Sequence, residues 1–192
     1  MCNAGDVDAE RKRLNFSDLA VQRFAFMADR GYRVAGTEPT IVHFRKGDLV
    51  AAVYHGRRSY QVGFEIGRGD EQFSVYELVQ VADADAAERL RIPASTTPSA
   101  LAESLRLIAE LVERYGQQAL AGNAGFFEAL RQQRRTWARE YSHDVLAGQV
   151  RPKAAAAFRE RRYREAAALY EQMSARLTPA EQKKLAAARK RS

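Results

Sequence analysis

Apolar residues recur at two different periods along this chain, and the change of period organises it. Over residues 17–31 the spacing is helical, with Leu19, Ala20, Phe24, Met27 and Ala28 on one stripe. Ser17 is placed to cap this helix, Asp18 to complement its dipole, and Gly31 with Tyr32 to stop it. The period then falls to two. Strands are predicted over residues 40–45, 49–54 and 59–66, joined by turns at Lys46-Gly47 and Gly56-Arg57. Those turns set Phe44 opposite Leu49 and Val53 opposite Tyr60. One face of the meander then carries Val42, Phe44, Leu49, Ala51, Val53, Tyr60, Val62 and Phe64, all apolar or aromatic. The other face is mixed: Ile41, His43, Arg45, Asp48, Val50, Ala52, Tyr54, Ser59, Gln61, Gly63 and Glu65. A short fourth strand over residues 73–76 and a brief helix over 77–81 complete this part.

Beyond the turn-rich residues 93–98 the pattern is helical throughout. Thr97 caps, Pro98 takes the first helical position, and Leu101, Leu105, Ile108, Val112 and Tyr115 form a stripe ending at Gly116. Asn123 caps a second helix whose buried side is expected to hold Phe126, Phe127, Leu130, Trp137 and Tyr141. A third stretch covers residues 153–173, broken near Arg162-Tyr163. Thr178-Pro179-Ala180-Glu181 is a capping box opening a terminal basic helix. The expected fold class is α+β, with an N-terminal helix packed on an antiparallel β-meander, followed by an all-helical C-terminal half. The expected organisation is a disordered polar tail over 1–14, an α+β domain over 15–95 and a helical region over 96–192 ending in a hairpin.

Composition narrows the classes. With 46% apolar and 29% charged residues the chain can build a core. No run approaches the roughly 18 apolar residues of a membrane span, and the first residues lack a secretory h-region, so a cytoplasmic protein without membrane contact is expected. Cys2 is the only cysteine, which excludes intramolecular disulfides and thiolate clusters. The net charge of +7 is unevenly spread: residues 1–98 carry 13 basic and 14 acidic side chains, residues 99–192 carry 18 and 10. Such asymmetry marks an acidic partner or nucleic acid, although arginine-rich solvated helices give the same count.

No catalytic or cofactor motif is present, and His43, His55 and His143 are scattered, so no enzyme, cofactor or metal site is expected. The densest polar group is the second hairpin. Tyr54, His55, Arg57 and Arg58 lie at or near its tip, and a cross-strand row Arg45–Asp48–Glu65 lies on the mixed face. With the small residues Ala52 and Gly63 around Tyr54, these make a candidate partner-binding surface. The alternative is nucleic-acid binding by Arg131, Arg134, Arg135, Arg139, Lys183 and Lys184, against which stands the lack of exposed aromatics among them.

Residues 154–173, with Ala157, Arg162-Tyr163, Glu165-Ala166 and Leu169-Tyr170, resemble part of a tetratricopeptide-type hairpin; one such unit is an appended hairpin rather than a solenoid. The strand region, from Pro39 to Phe44 and from Val53 through Gly63 to Gly67 and Arg68, resembles an uncharacterised family of small bacterial proteins. That likeness extends over most of the chain and implies neither an assigned activity nor catalytic residues. The size and α+β build are also similar to immunity proteins of bacterial toxin systems. The expected function is therefore non-enzymatic: binding another protein through the mixed sheet face and the hairpin, with toxin neutralisation as one form.

Overall fold

The computed structural model describes residues 14–192; the expected tail, with Cys2, lies outside the described residues except for Leu14, which is buried. The fold is α+β. Its elements are α1 (Phe16–Arg23), α2 (Phe26–Asp29), β1 (Arg33–Glu38), β2 (Ile41–Lys46), β3 (Leu49–His55), β4 (Val62–Arg68), β5 (Glu71–Ser74), α3 (Val75–Ala82), α4 (Ala84–Arg89), α5 (Pro98–Tyr115), α6 (Gln117–Leu120), α7 (Ala124–Arg159), α8 (Tyr163–Gln172) and α9 (Pro179–Arg189). The chain divides between Arg131 and Gln132 into two compact units, rather than near residue 96. The turn-rich stretch before Thr97 is internal to the first unit because α5 buries Leu101, Leu105, Ile108 and Val112 in the same core as the sheet.

In the first unit five antiparallel strands pair in chain order, β1-β2-β3-β4-β5. β1, which sequence periodicity does not reveal, is an edge strand of largely exposed residues held by its ladder, with a bulge between Val34 and Gly36. The hairpin registers differ from those the expected turns imply. Gly47-Asp48 forms the first turn, with Gly47 at φ 58°, so Phe44 faces Ala51 instead of Leu49. The second connection runs over residues 56–61, and Val53 faces Phe64 instead of Tyr60. These slips are two and four residues, both even, and an even slip leaves every side chain on its own face. Val42, Phe44, Leu49, Ala51, Val53, Val62 and Phe64 are accordingly all buried, joined by Ile66; Tyr60 leaves the strand into a left-handed conformation at φ 54°.

α1, α3 and α5 cover this apolar face. Phe24 sits at its centre, with its ring stacked on Phe64 at 5.9 Å and tilted against Phe44 at 6.2 Å. The helix starts at Phe16 after Asn15, and the Ser17 hydroxyl, expected as its cap, donates to the Glu38 carbonyl instead. Arg68 fastens one end of the sheet: its Nε donates to Asp48 at 2.7 Å, its Nη2 donates to the Gly122 carbonyl at 3.1 Å, and its guanidinium covers the Phe127 ring.

The second unit has its own core, dominated by small side chains: Ala147, Ala154, Ala157, Ala166 and Ala188 with Val150, Tyr170, Met173 and Leu185. Alanines let the helix backbones approach closely while Tyr170 fills the centre. The α7–α8 connection turns through Arg161 at φ 60°, and the Thr178–Glu181 capping box opens α9 as the sequence predicts. Glu181 also accepts from Arg151 Nε at 2.7 Å; burial pushes its carboxyl up, but the Thr178 amide and Arg151 outweigh it and hold it below the ordinary glutamate value.

Candidate interaction surfaces

The sheet face opposite the core is organised in three cross-strand rows. Gly36, His43, Ala52, Glu65 and Ser74 make the central row; Glu38, Ile41, Tyr54 and Gly63 lie on one side; Arg33, Arg45, Val50, Gly67 and Gln72 lie on the other. The expected row Arg45–Asp48–Glu65 therefore does not form. Arg45 faces Val50, Glu65 faces Ala52, and Asp48 occupies the turn, paired with Arg68. The slipped register is the cause: Arg45 meets Val50, two residues past Asp48, and Glu65 meets Ala52, four residues past it.

Glycine at position 63 decides the shape of this face. A Cβ there would lie 2.3 Å from Tyr54 Cζ, so the tyrosine ring rests across the space that a side chain would fill. Tyr54 is half-buried on this floor, beside Ala52. Burial first, and then the Glu65 charge, raise its phenol above the ordinary value, so it stays a neutral hydrogen-bond donor. A shallow concavity of about 360 Å³ opens here, with Thr40, Ile41, His43, Tyr54, Arg57 and Glu65 around it. Arg57, Arg58 and Arg45 are exposed, and His43 and Glu65 are half-buried. Of the expected partner-binding set, Tyr54, Arg57, Glu65 and the buried His55 line this concavity.

His55 does not present itself to a partner. Its ring faces the core, 2% exposed, stacked on Phe16 at 5.9 Å. Nε2 lies 3.1 Å from the Tyr60 carbonyl and 3.0 Å from the Ser95 carbonyl. Both are acceptors, so Nε2 carries the hydrogen. The Ser95 amide donates to the Tyr60 carbonyl at 2.6 Å and the Ser95 and Ser104 hydroxyls bond at 2.7 Å. His55 is thus the buried support of the loop that displays Arg57 and Arg58. Alternation in β3 puts position 55 on the same side as Val53 and Ala51; a two-residue turn at Gly56-Arg57 concealed this by making it part of the tip.

The basic set is dispersed. Arg131 belongs to the first unit, where its guanidinium clasps Glu71 with contacts of 2.8–3.0 Å and also reaches Glu128. Arg134, Arg135 and Arg139 are exposed on α7, and Lys183 and Lys184 on α9. Other arginines of the helical part are also paired, among them Arg151 with Glu181, Arg176 with Asp144 and Arg189 with Glu171. Trp137 and Tyr141, expected on the buried side, are 61% and 59% exposed. Their spacing continues the stripe of Phe126, Phe127 and Leu130, but no residue between Gln132 and Leu146 is buried.

Among the described residues no three histidine, cysteine or carboxylate side chains converge on a point that could hold a metal, and no helix is long and apolar enough to cross a membrane. No protein-family model, curated protein or solved structure matches the chain.

Proposed function

We propose that this is a non-enzymatic binding protein that recognises a protein partner on the outer face of its sheet. Tyr54 is the central anchor, with Arg57 and Glu65 at the margins. Toxin neutralisation is one form such recognition takes. The observation that carries this reading is the Tyr54 ring resting over Gly63 inside a shallow concavity. A large side chain already fixed by its floor loses little conformational freedom on binding, and tyrosine and arginine supply contact area together with directional donors. The direction of the Tyr54 shift also argues against catalysis: a phenol made harder to ionise is neither a nucleophile nor a base at neutral pH.

The test is affinity capture from the producing cell with wild-type protein, Tyr54→Ala, and the double variant Arg57→Ala with Arg58→Ala. The variants are expected to fold normally, with the exposed arginine pair changing stability by less than about 0.5 kcal/mol. Proteins held by the wild type should be lost from Tyr54→Ala and depleted from the arginine variant. Capture unchanged by both, with the folds intact, would place recognition elsewhere.

A further inference from the structure

Within the second unit, α7 displays Trp137, Tyr141 and Val145 at 61%, 59% and 41% exposure. Their i, i+4, i+8 spacing puts them on one side of the helix, and the two rings stack at 5.5 Å with 15° between their planes. Large apolar side chains left together in water mark an interaction surface. The basic stripe Arg131, Arg135 and Arg139 lies roughly 160° around the helix from Trp137, at 3.6 residues per turn. Two acidic residues, Glu140 and Asp144, border the rings, against one basic residue of the helix, Arg134. A phosphate backbone lying along this aromatic stripe would meet carboxylates, which disfavours a nucleic-acid strand as its occupant.

The order of residues along the stripe suggests what does fit. Arg134, Trp137, Tyr141 and Asp144 follow the alternating three- and four-residue spacing of a helix–helix seam. Reversing the direction of the helix about position 139 exchanges Trp137 with Tyr141 and Arg134 with Asp144. The segment is therefore complementary to itself when two copies run antiparallel, as a two-fold interface requires. We propose that a second copy of this chain docks here, α7 against α7 and antiparallel. Trp137 of each copy would lie on the other's Tyr141, and each Arg134 opposite the other's Asp144. Asp144 accepts from Arg176 within its own chain, and Arg134 also has an interaction in its own chain. The carboxylate has lone pairs for a second guanidinium, and the pairing adds to these contacts without requiring their loss. Two aromatics at these exposures, each offering at most 150–250 Å² when fully buried, give a contact well below the 1,200–2,000 Å² of stable interfaces. The dimer is accordingly weak and concentration-dependent.

Trp137 is the only tryptophan in the chain, so its emission reports the seam directly. Sedimentation equilibrium of the full chain from roughly 5 to 500 μM, the upper end chosen to suit a contact this small, should show the mass rising from 21.6 kDa toward twice that value. Trp137 emission should shift to the blue over the same range. Trp137→Ala and Tyr141→Ala should each hold the mass at the monomer value with unchanged circular dichroism. Arg134→Asp should weaken association at least tenfold, and adding Asp144→Arg should restore it; in a parallel pair, where each residue meets its own copy, neither change would act this way. A constant monomer mass with constant emission up to the highest concentration overturns the proposal. So does a dimer that survives Trp137→Ala, or charge reversals without effect. Quenching of Trp137 by a short oligonucleotide while the chain stays monomeric would overturn it in favour of nucleic acid.

Discussion

Replacing His55 tests the claim that it supports the hairpin loop from beneath. His55→Phe keeps a ring against Phe16 but removes the Nε2 hydrogen. The Tyr60 carbonyl retains the Ser95 amide at 2.6 Å, so the principal loss falls on the buried Ser95 carbonyl. Stranding one such acceptor costs about 1–3 kcal/mol. His55→Ala loses the ring as well and leaves a cavity beside Phe16; by analogy with aromatic truncations the total is about 3–5 kcal/mol. The assay is native-state hydrogen exchange read at β3 and β4 amides, where the slowest positions follow unfolding of the first unit. Both variants should also accelerate exchange in residues 56–61, because the loop loses its anchor. If His55→Phe costs less than about 0.5 kcal/mol, the carbonyl bonds contribute little and the tautomer assigned above is wrong. If His55→Ala costs no more than His55→Phe, the ring is not packed as described.

Burial pushes the Tyr32 phenol up to about 12 against the opposing pull of Arg68, and its hydroxyl donates to the Leu120 carbonyl at 3.0 Å. A folded-state value above the unfolded one means stability that is complete below about pH 10 and lost as pH rises towards 12, about 3 kcal/mol in all; urea titrations should show wild type ahead of Tyr32→Phe at pH 8 and that lead gone near pH 11.5, whereas a constant lead refutes the linkage. Tyr170 is fully buried with no partner for its hydroxyl, so Tyr170→Phe should raise the urea stability of the second unit by about 1 kcal/mol, and a loss of that size would mean that the hydroxyl is bonded after all. Labelled duplex DNA titrated at about 50 mM salt should bind poorly, because the arginines Arg131, Arg151, Arg176 and Arg189 are already paired with carboxylates; micromolar binding that weakens steeply with salt would reverse this view of the basic helices.

The faces of the strands were legible in the sequence, while their partners were not, and the difference is physical. Alternation in 40–66 records which side of the sheet each residue occupies, and that information survives any even slip. Register depends on turn geometry. Gly47 takes its positive φ as the first residue of the loop, and the second loop is lengthened by Tyr60 turning left-handed above His55, a long-range arrangement involving Ser95 that no local pattern encodes. The floor of the candidate site was visible as Tyr54, Ala52 and Gly63, because strand parity alone brings them to one face. The row through Arg45 and Glu65 needed the register and failed with it. Trp137 and Tyr141 show a different limit: helical periodicity says that residues share a side, and only tertiary contact says whether that side is covered. β1 escaped notice because an exposed edge strand has no burial to imprint a pattern on Arg33–Glu38.

The chain-order pairing of the five strands bears on how the molecule is made. Each ladder can close as soon as the next strand emerges from the ribosome, so the meander is complete once Ser74 is free. Of the helices that cover it, α1 is already present, but α5 begins at Pro98, and the bonds from Tyr32 and Arg68 reach carbonyls at Leu120 and Gly122. At typical synthesis rates of 5–20 residues per second, the span from Ser74 to Gly122 takes roughly 2–10 s. During that interval β4, which carries Phe64 and Ile66, lacks its α5 cover. Nascent chains released before residue 98 are therefore expected to be the form most dependent on chaperones and the quickest to aggregate.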